Sequence, residues 1–337
     1  MALATLGSAV RTVVVPRGEQ VVIARAVFTA LRSVFFRGTE STKARFAPVS
    51  LLTLPMVWGA GVWVGLSATF WSLGVTPYRD ALVLSGSSLT TLGFRTTDDL
   101  PTLILAIFEG LVGLGLVALL ISFLPTLYAA FSRREVSVAK LDLRSRGDGV
   151  ASPASLLIRT HLINGLDQIT ETWSEWEDWF VEVEESHTSF PMLVFFRSPD
   201  PARSWIVSAG IALDAAALYH STLDHPRAPR AALMIRTGTL ALRRIADFFG
   251  FEHVADPSAG DPISVTREEY DVVYEQLQDA GVAVRPDRDQ AWKDFAGWRV
   301  NYDTVLITLA AFVDPPPAPW ISDRSIAYRR PRISRRR

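Results

Sequence analysis

Uncharged stretches dominate the first 132 residues of this chain, and their lengths separate three kinds of segment. Residues 46–78 form a run of 33 without a charged side chain, more than the roughly 20 needed to cross about 30 Å of hydrocarbon. A spanning helix is predicted near 48–74, with Trp58 and Trp63 inside it and Trp71 as an interfacial anchor near its end. Pro55, Gly59, Gly61 and Gly65 would weaken a helix in water, but in lipid small residues let neighbouring helices approach. Residues 101–131 form the second candidate, about 46 Å long at 1.5 Å per residue, with Glu109 as its only charge. Its last turns are expected to leave the bilayer. Between the two, 81–94 is uncharged for only 14 residues, which suits a re-entrant segment better than a span. Thr76 as cap and Pro77 as first helical residue mark the start of a short helix, and Thr90-Thr91-Leu92-Gly93-Phe94 predicts its end near Leu89. Upstream, 21–36 sets Arg25, Thr29, Arg32 and Ser33 along one side of an apolar helix, the pattern of an interfacial helix.

After Arg146-Gly147-Asp148-Gly149 the pattern changes to one rich in acids and tryptophan. Helices are predicted near 153–168, 168–187, 203–224, 229–250, 266–281 and 287–313, with breaks at Pro199, Pro201, Pro226, Pro257, Pro262 and Gly281. Thr266 and Glu269 form a capping box at the start of the fifth. Trp173, Trp176, Phe180 and Val183 make a core stripe, with Glu175, Asp178, Glu182 and Glu185 on the solvated side. Residues 204–219 are apolar but short and interrupted by Asp214, so a buried helix is expected there. Asp167, Asp214 and Asp247 are candidates for buried polar contacts. The fold class is all-α: an interfacial helix in 1–47, a membrane module in 48–131, a linker in 132–152, an antiparallel cytoplasmic helical bundle in 153–325 and a basic tail in 326–337.

Of the 337 residues, 49% are hydrophobic, and the mean hydropathy is +0.20, which argues against one water-soluble globule. Lys+Arg 34 against Asp+Glu 35 leaves a net charge of −1, so no nucleic-acid partner is expected. Absence of cysteine excludes disulfides and thiolate metal sites. Arg37, Lys43 and Arg45 precede the first span, and Arg133, Arg134, Lys140, Arg144 and Arg146 follow the second, whereas the intervening loop mixes Arg79 and Arg95 with Asp80, Asp98 and Asp99. By the positive-inside rule both termini are cytoplasmic in a multi-pass plasma-membrane protein. The six arginines of 329–337 form either a solvated end or a contact with anionic lipid.

Span, short helix, Thr-Thr-Leu-Gly-Phe, span: residues 48–131 resemble the pore module of the potassium-channel superfamily, specifically its two-span bacterial members. Thr91, Leu92, Gly93 and Phe94 match the filter strand of that family, and Ser87-Ser88-Leu89-Thr90 resembles the end of its pore helix. The resemblance implies filter carbonyls that replace an ion's hydration shell, a homotetramer, and K+ or another monovalent cation as permeant ion. It also implies a gating hinge at Gly115 or the nearby Gly113. One position departs from the family: Arg95 stands where the second filter glycine belongs. Four guanidinium groups would ring the outer mouth. If Asp98 and Asp99 neutralise them a cation path remains; otherwise the ring repels cations, favours anions or closes the pore. Glu109 is expected as a partner for Arg95, as a proton-sensitive group behind the filter, or as a hydrated acid near the outer interface.

In the cytoplasmic half, Glu184 and His187 have the spacing of half a dinuclear carboxylate site, and His220 with Asp224 lie one turn apart, but satisfied polar groups or caps are the expected reading. No Gly-x-Gly-x-x-Gly follows a strand, and no cofactor or catalytic residue is expected. The function expected is an ion channel rather than an enzyme, with a helical regulatory domain. The alternative is a non-conducting membrane anchor whose helical domain recruits a cytoplasmic partner protein.

Overall fold

In a computed structural model of the chain, Gly7 and residues 22–35, 37–146 and 149–324 are described. The basic tail therefore lies outside the described residues, as do the side chains of Arg25 and Thr29. The described residues form helices joined by turns and loops, with no strand beyond one isolated bridge between Leu223 and Val284. The chain divides into two compact units, Met1–Ala130 and Phe131–Arg337.

The first unit holds α1 (Val22–Phe35), α2 (Glu40–Ser72), α3 (Tyr78–Leu89) and the beginning of α4 (Leu100–Ser145). Two helices are long and apolar enough to cross a membrane: α2 over Pro48–Ser72, and α4. Only 11% of the most apolar window of α4 is buried within the chain, which separates it from the core helix of a water-soluble protein. Leu103, Ile104, Ile107, Leu111, Leu114 and Ile121 are all exposed on it. Helix α3 begins one residue later than the sequence suggests. Pro77 occupies the cap and Thr76 makes no capping bond; the Pro77 carbonyl accepts from the Asp80 amide at 2.8 Å.

The second unit begins inside α4, which runs unbroken to Ser145. The linker expected over 132–152 is thus mostly helix. The reason lies in its pattern: Arg134, Val138, Leu141, Asp142 and Ser145 recur at helical spacing and are all buried. There follow α5 (Pro153–Leu162), α6 (Ile169–Ser189), α7 (Trp205–Ser221), α8 (Pro229–Phe249), α9 (Arg267–Asp279), α10 (Arg288–Arg299) and α11 (Asp303–Val313), with short 3-10 turns at Leu166–Gln168 and Pro191–Phe195. Helix α7 is buried along its whole length except at His220 and packs against α5, α8, α10 and α11. Trp173, Trp176, Phe180 and Val183 of α6 are buried while Glu175, Asp178, Glu182 and Glu185 face solvent. The Thr266–Glu269 capping box closes reciprocally.

Two polar clusters are sealed into this unit. Arg299, wholly buried, donates to Asp214 on α7, to Asp303 at 2.9 Å and to the Trp320 carbonyl at 2.6 Å, and the Tyr302 hydroxyl donates to Asp214 at 2.8 Å. This cluster explains why the single helix expected over 287–313 is broken. The Asn301 amide caps the last carbonyls of α10, and the turn after it brings the Tyr302 hydroxyl to the Asp214 carboxylate that Arg299 also meets, and the Asp303 carboxylate to Arg299 itself. Burial opposes the charge on Arg299, but the Asp214 and Asp303 carboxylates outweigh it and hold the guanidinium above the ordinary arginine range. Asp167 and Asp247, by contrast, are exposed, so only Asp214 of the three candidate acids is a buried contact.

The second cluster is centred on Arg134 of α4. Its guanidinium donates to the carbonyls of Leu193 (2.7 Å) and Phe196 (2.6 Å) and to Glu135, and one nitrogen lies 3.2 Å from His187 Nε2. Trp179 donates its indole N–H to the Arg134 carbonyl, and the Trp205 ring flanks both Arg134 and His187. Burial first, and the neighbouring Arg134 charge second, push the His187 imidazole well below the usual histidine range.

Two stability predictions follow. Replacing Arg299 by alanine strands Asp214 in the core and should cost about 3–5 kcal/mol in chemical denaturation of the full chain in detergent. His187 stays neutral when folded but takes a proton near pH 6.5 when unfolded, so stability should fall as pH drops through that value. Melting curves from about pH 8 to about pH 5 should show this slope, and it should flatten in His187→Gln.

Candidate functional site

The candidate site is built on α3 and the loop that follows it. An apolar cluster of Phe70, Ala81 and Leu84, with Val75, Leu105 and Ala106 against it, sets α3 between α2 and α4. Trp63 of α2 donates its indole N–H to the Leu82 carbonyl at 2.9 Å. On the α4 side Gly113 lies directly under the end of α3, where a β-carbon would overlap the Leu89 carbonyl oxygen. Gly115 meets nothing within 4 Å. Of the two glycines expected as a hinge, Gly113 is thus required for close approach, and α4 continues through both as helix.

Beyond Leu89 the backbone turns back on Ser87. The amides of Leu92 and Gly93 donate to the Ser87 carbonyl at 3.1 and 3.3 Å, and the Arg95 amide donates to the Ser87 hydroxyl at 2.9 Å. Positive φ occurs at Thr91 (58°) and Gly93 (67°) but not at Leu92 between them. That conformation is free for glycine and costs a β-branched threonine about 1 kcal/mol or more. The amides are thereby gathered on the helix side. The carbonyl oxygens of Thr91, Leu92, Gly93 and Phe94 accept no hydrogen bond from any described residue. Leu92 and Phe94 expose 70% and 65% of their surface in the single chain, so neither packs as a loop anchor.

Arg95 behaves differently from expectation. Its φ is not positive, so the strained non-glycine position is Thr91. Its guanidinium pairs with Asp80 in the first turn of α3 at 3.4 Å, rather than with Asp98 or Asp99. Asp99 instead caps α4, accepting from the Thr102 amide at 3.3 Å and the Thr102 hydroxyl at 3.1 Å, while Asp98 stays exposed. Glu109 is neither Arg95's partner nor hydrated. It is wholly buried, with Oε1 2.6 Å from the Ser85 hydroxyl and Oε2 lacking any partner among the described residues. The Ser85 hydroxyl also lies 3.2 Å from the Trp63 carbonyl; having one proton, it serves the closer Glu109 oxygen. Thr90 ends α3, its hydroxyl donating to the Gly86 carbonyl at 2.6 Å.

Sequence reasoning singles out the filter-like residues but not Ser85, and it places Asp80 only among the loop charges and Trp63 only within the first span. The legible signal for Ser85 is three serines at 85, 87 and 88 in an otherwise apolar helix. In the second unit, Glu184 pairs with Arg244 at 2.6 Å while His187 faces Arg134, so the two do not share a ligand position. His220 stacks on Trp298 and does not pair with Asp224.

The two glycines differ in what they should tolerate. Gly113→Ala should lower the melting temperature of the detergent-solubilised protein, because the methyl group forces α3 and α4 apart at a cost of about 1–3 kcal/mol. Gly115→Ala should leave it unchanged or raise it slightly. No family model, curated protein or solved structure matches this chain.

Proposed function

We propose that the chain is a potassium-channel-like membrane protein in which four copies surround an axis and pass monovalent cations, K+ foremost. The observation that carries the proposal is the run of four unbonded carbonyl oxygens, Thr91 to Phe94, held by amides tied back to Ser87. Such oxygens can replace the hydration shell of a cation, and the C-terminal end of α3 adds its partial negative charge. One chain supplies one such segment, so an enclosed filter requires a homotetramer in the bilayer. The pairing of Arg95 with Asp80 supports a cation path, since it draws the guanidinium towards the base of α3. Both termini and the second unit are assigned to the cytoplasm of a plasma membrane, where the second unit acts as a helical regulatory domain on α4.

A second reading is favoured by Arg95 itself, which occupies a filter glycine position. In that reading the pore is inert, and the membrane module anchors a domain that recruits a cytoplasmic protein.

Planar-bilayer recording separates the two. The channel reading expects cation currents from reconstituted wild-type protein that is tetrameric in mild detergent. Current only after Arg95→Gly favours the anchor, and a stable monomer without current under varied voltage and pH rejects the pore.

A further inference from the structure

Helix α7 starts without a cap. Ser204 occupies the cap position but its side chain makes no capping bond, and the amides of Trp205, Ile206 and Val207 find no acceptor among the described residues. A buried helix end left in this way is unusual, because each unpaired donor carries a desolvation cost. All three residues are buried.

This end borders a cavity of about 150 Å³ with Asp142, Arg146, Arg203, Ser204 and Ser208 on its polar side; Leu141, Ala202, Val207 and Ile211 make an apolar wall, and 149–151 and 316–318 close it. Ser204 and Ser208 are 7% and 5% exposed, and neither hydroxyl has a partner among the described residues. They are more than nine-tenths buried polar groups bordering an open space. Arg203 gives its Nε to Asp142 at 2.9 Å, with Asp200 standing 3.4 Å away outside the lining, and both of its terminal nitrogens are unbonded. Arg146 gives Nε and Nη2 to the other Asp142 oxygen at 2.8 and 2.7 Å, which leaves its Nη1 unbonded. Asp142 thus orients both guanidinium groups, and Asp142 and Asp200 together balance their charge. What remains for an anion is the set of unbonded guanidinium nitrogens and the positive end of α7.

We propose that this cavity binds a phosphate group. Its donors differ in kind and direction: a guanidinium fork, a second guanidinium nitrogen, two hydroxyls and the free amides of a helix start. A tetrahedral oxyanion with several acceptor oxygens matches such a set better than a planar carboxylate does. The phosphate comes from an anionic lipid headgroup or from a soluble phosphoester. The assignment does not rest on the pore reading, since every residue in it belongs to the second unit.

Equilibrium dialysis of the full-length protein against radiolabelled inorganic phosphate, at constant ionic strength in chloride, tests the site. Saturable binding is expected, weakened roughly tenfold or more in Arg203→Gln. It should also weaken in Ser208→Val, which fills the cavity without changing charge. Circular dichroism verifies that each variant is folded, and Ser204→Ala serves if one is not. Absence of saturable binding beyond chloride, or equal affinity in the folded variants, overturns the proposal. Repeating the dialysis in nanodiscs identifies the source. If phosphatidic acid in the bilayer displaces phosphate, and Arg203→Gln abolishes the displacement, the headgroup is the occupant; if lipid composition has no effect, a soluble phosphoester is.

Discussion

A backbone that enters a bilayer has to satisfy its own N–H and C=O groups, because hydrocarbon offers no partner for them. In the proposed membrane module that constraint is met by α2 and by the apolar first part of α4, which close their hydrogen bonds internally. Where α3 stops, the amides that follow turn back on Ser87 and the carbonyls of residues 91–94 are left over. In the proposed pore, a cation on an axis shared by four copies would be the partner of those carbonyls.

The contacts behind that segment are as specific as the segment itself. Gly113 admits the Leu89 carbonyl, Ser85 meets Glu109, and Trp63 reaches Leu82. Each uses a small side chain or a polar group on an otherwise apolar helix, the kind of contact that would also hold helices together in lipid. Glu109 is thereby a buried carboxyl tied to α3 through Ser85.

The second unit relies on the opposite device, charges sealed in a hydrophobic core. Arg299 and Arg134 each carry a desolvation cost, offset by carboxylates and by backbone carbonyls. Arg134 belongs to α4, so the apolar helix long enough to cross a membrane and the helix buried within the second unit are one element.

The positions of α2, α3 and most later helices were legible in the sequence because run length and 3.6-residue spacing are local properties, whereas the break between α10 and α11 was not. The capping box at Thr266, the stripe from Trp173 to Val183 and the end of α3 at Leu89 belong to the same class. Partners were not legible. Arg95 lies three and four residues from Asp98 and Asp99, yet pairs with Asp80, because the chain reverses at Thr91 and Gly93 and returns along α3. The segment after Phe131 reads as a linker by its charges, but one face of it is buried by groups about 45 to 62 residues further on. Local pattern decides which residues form a helix; which face is covered, and which charge meets which, depends on contacts between segments far apart in the chain.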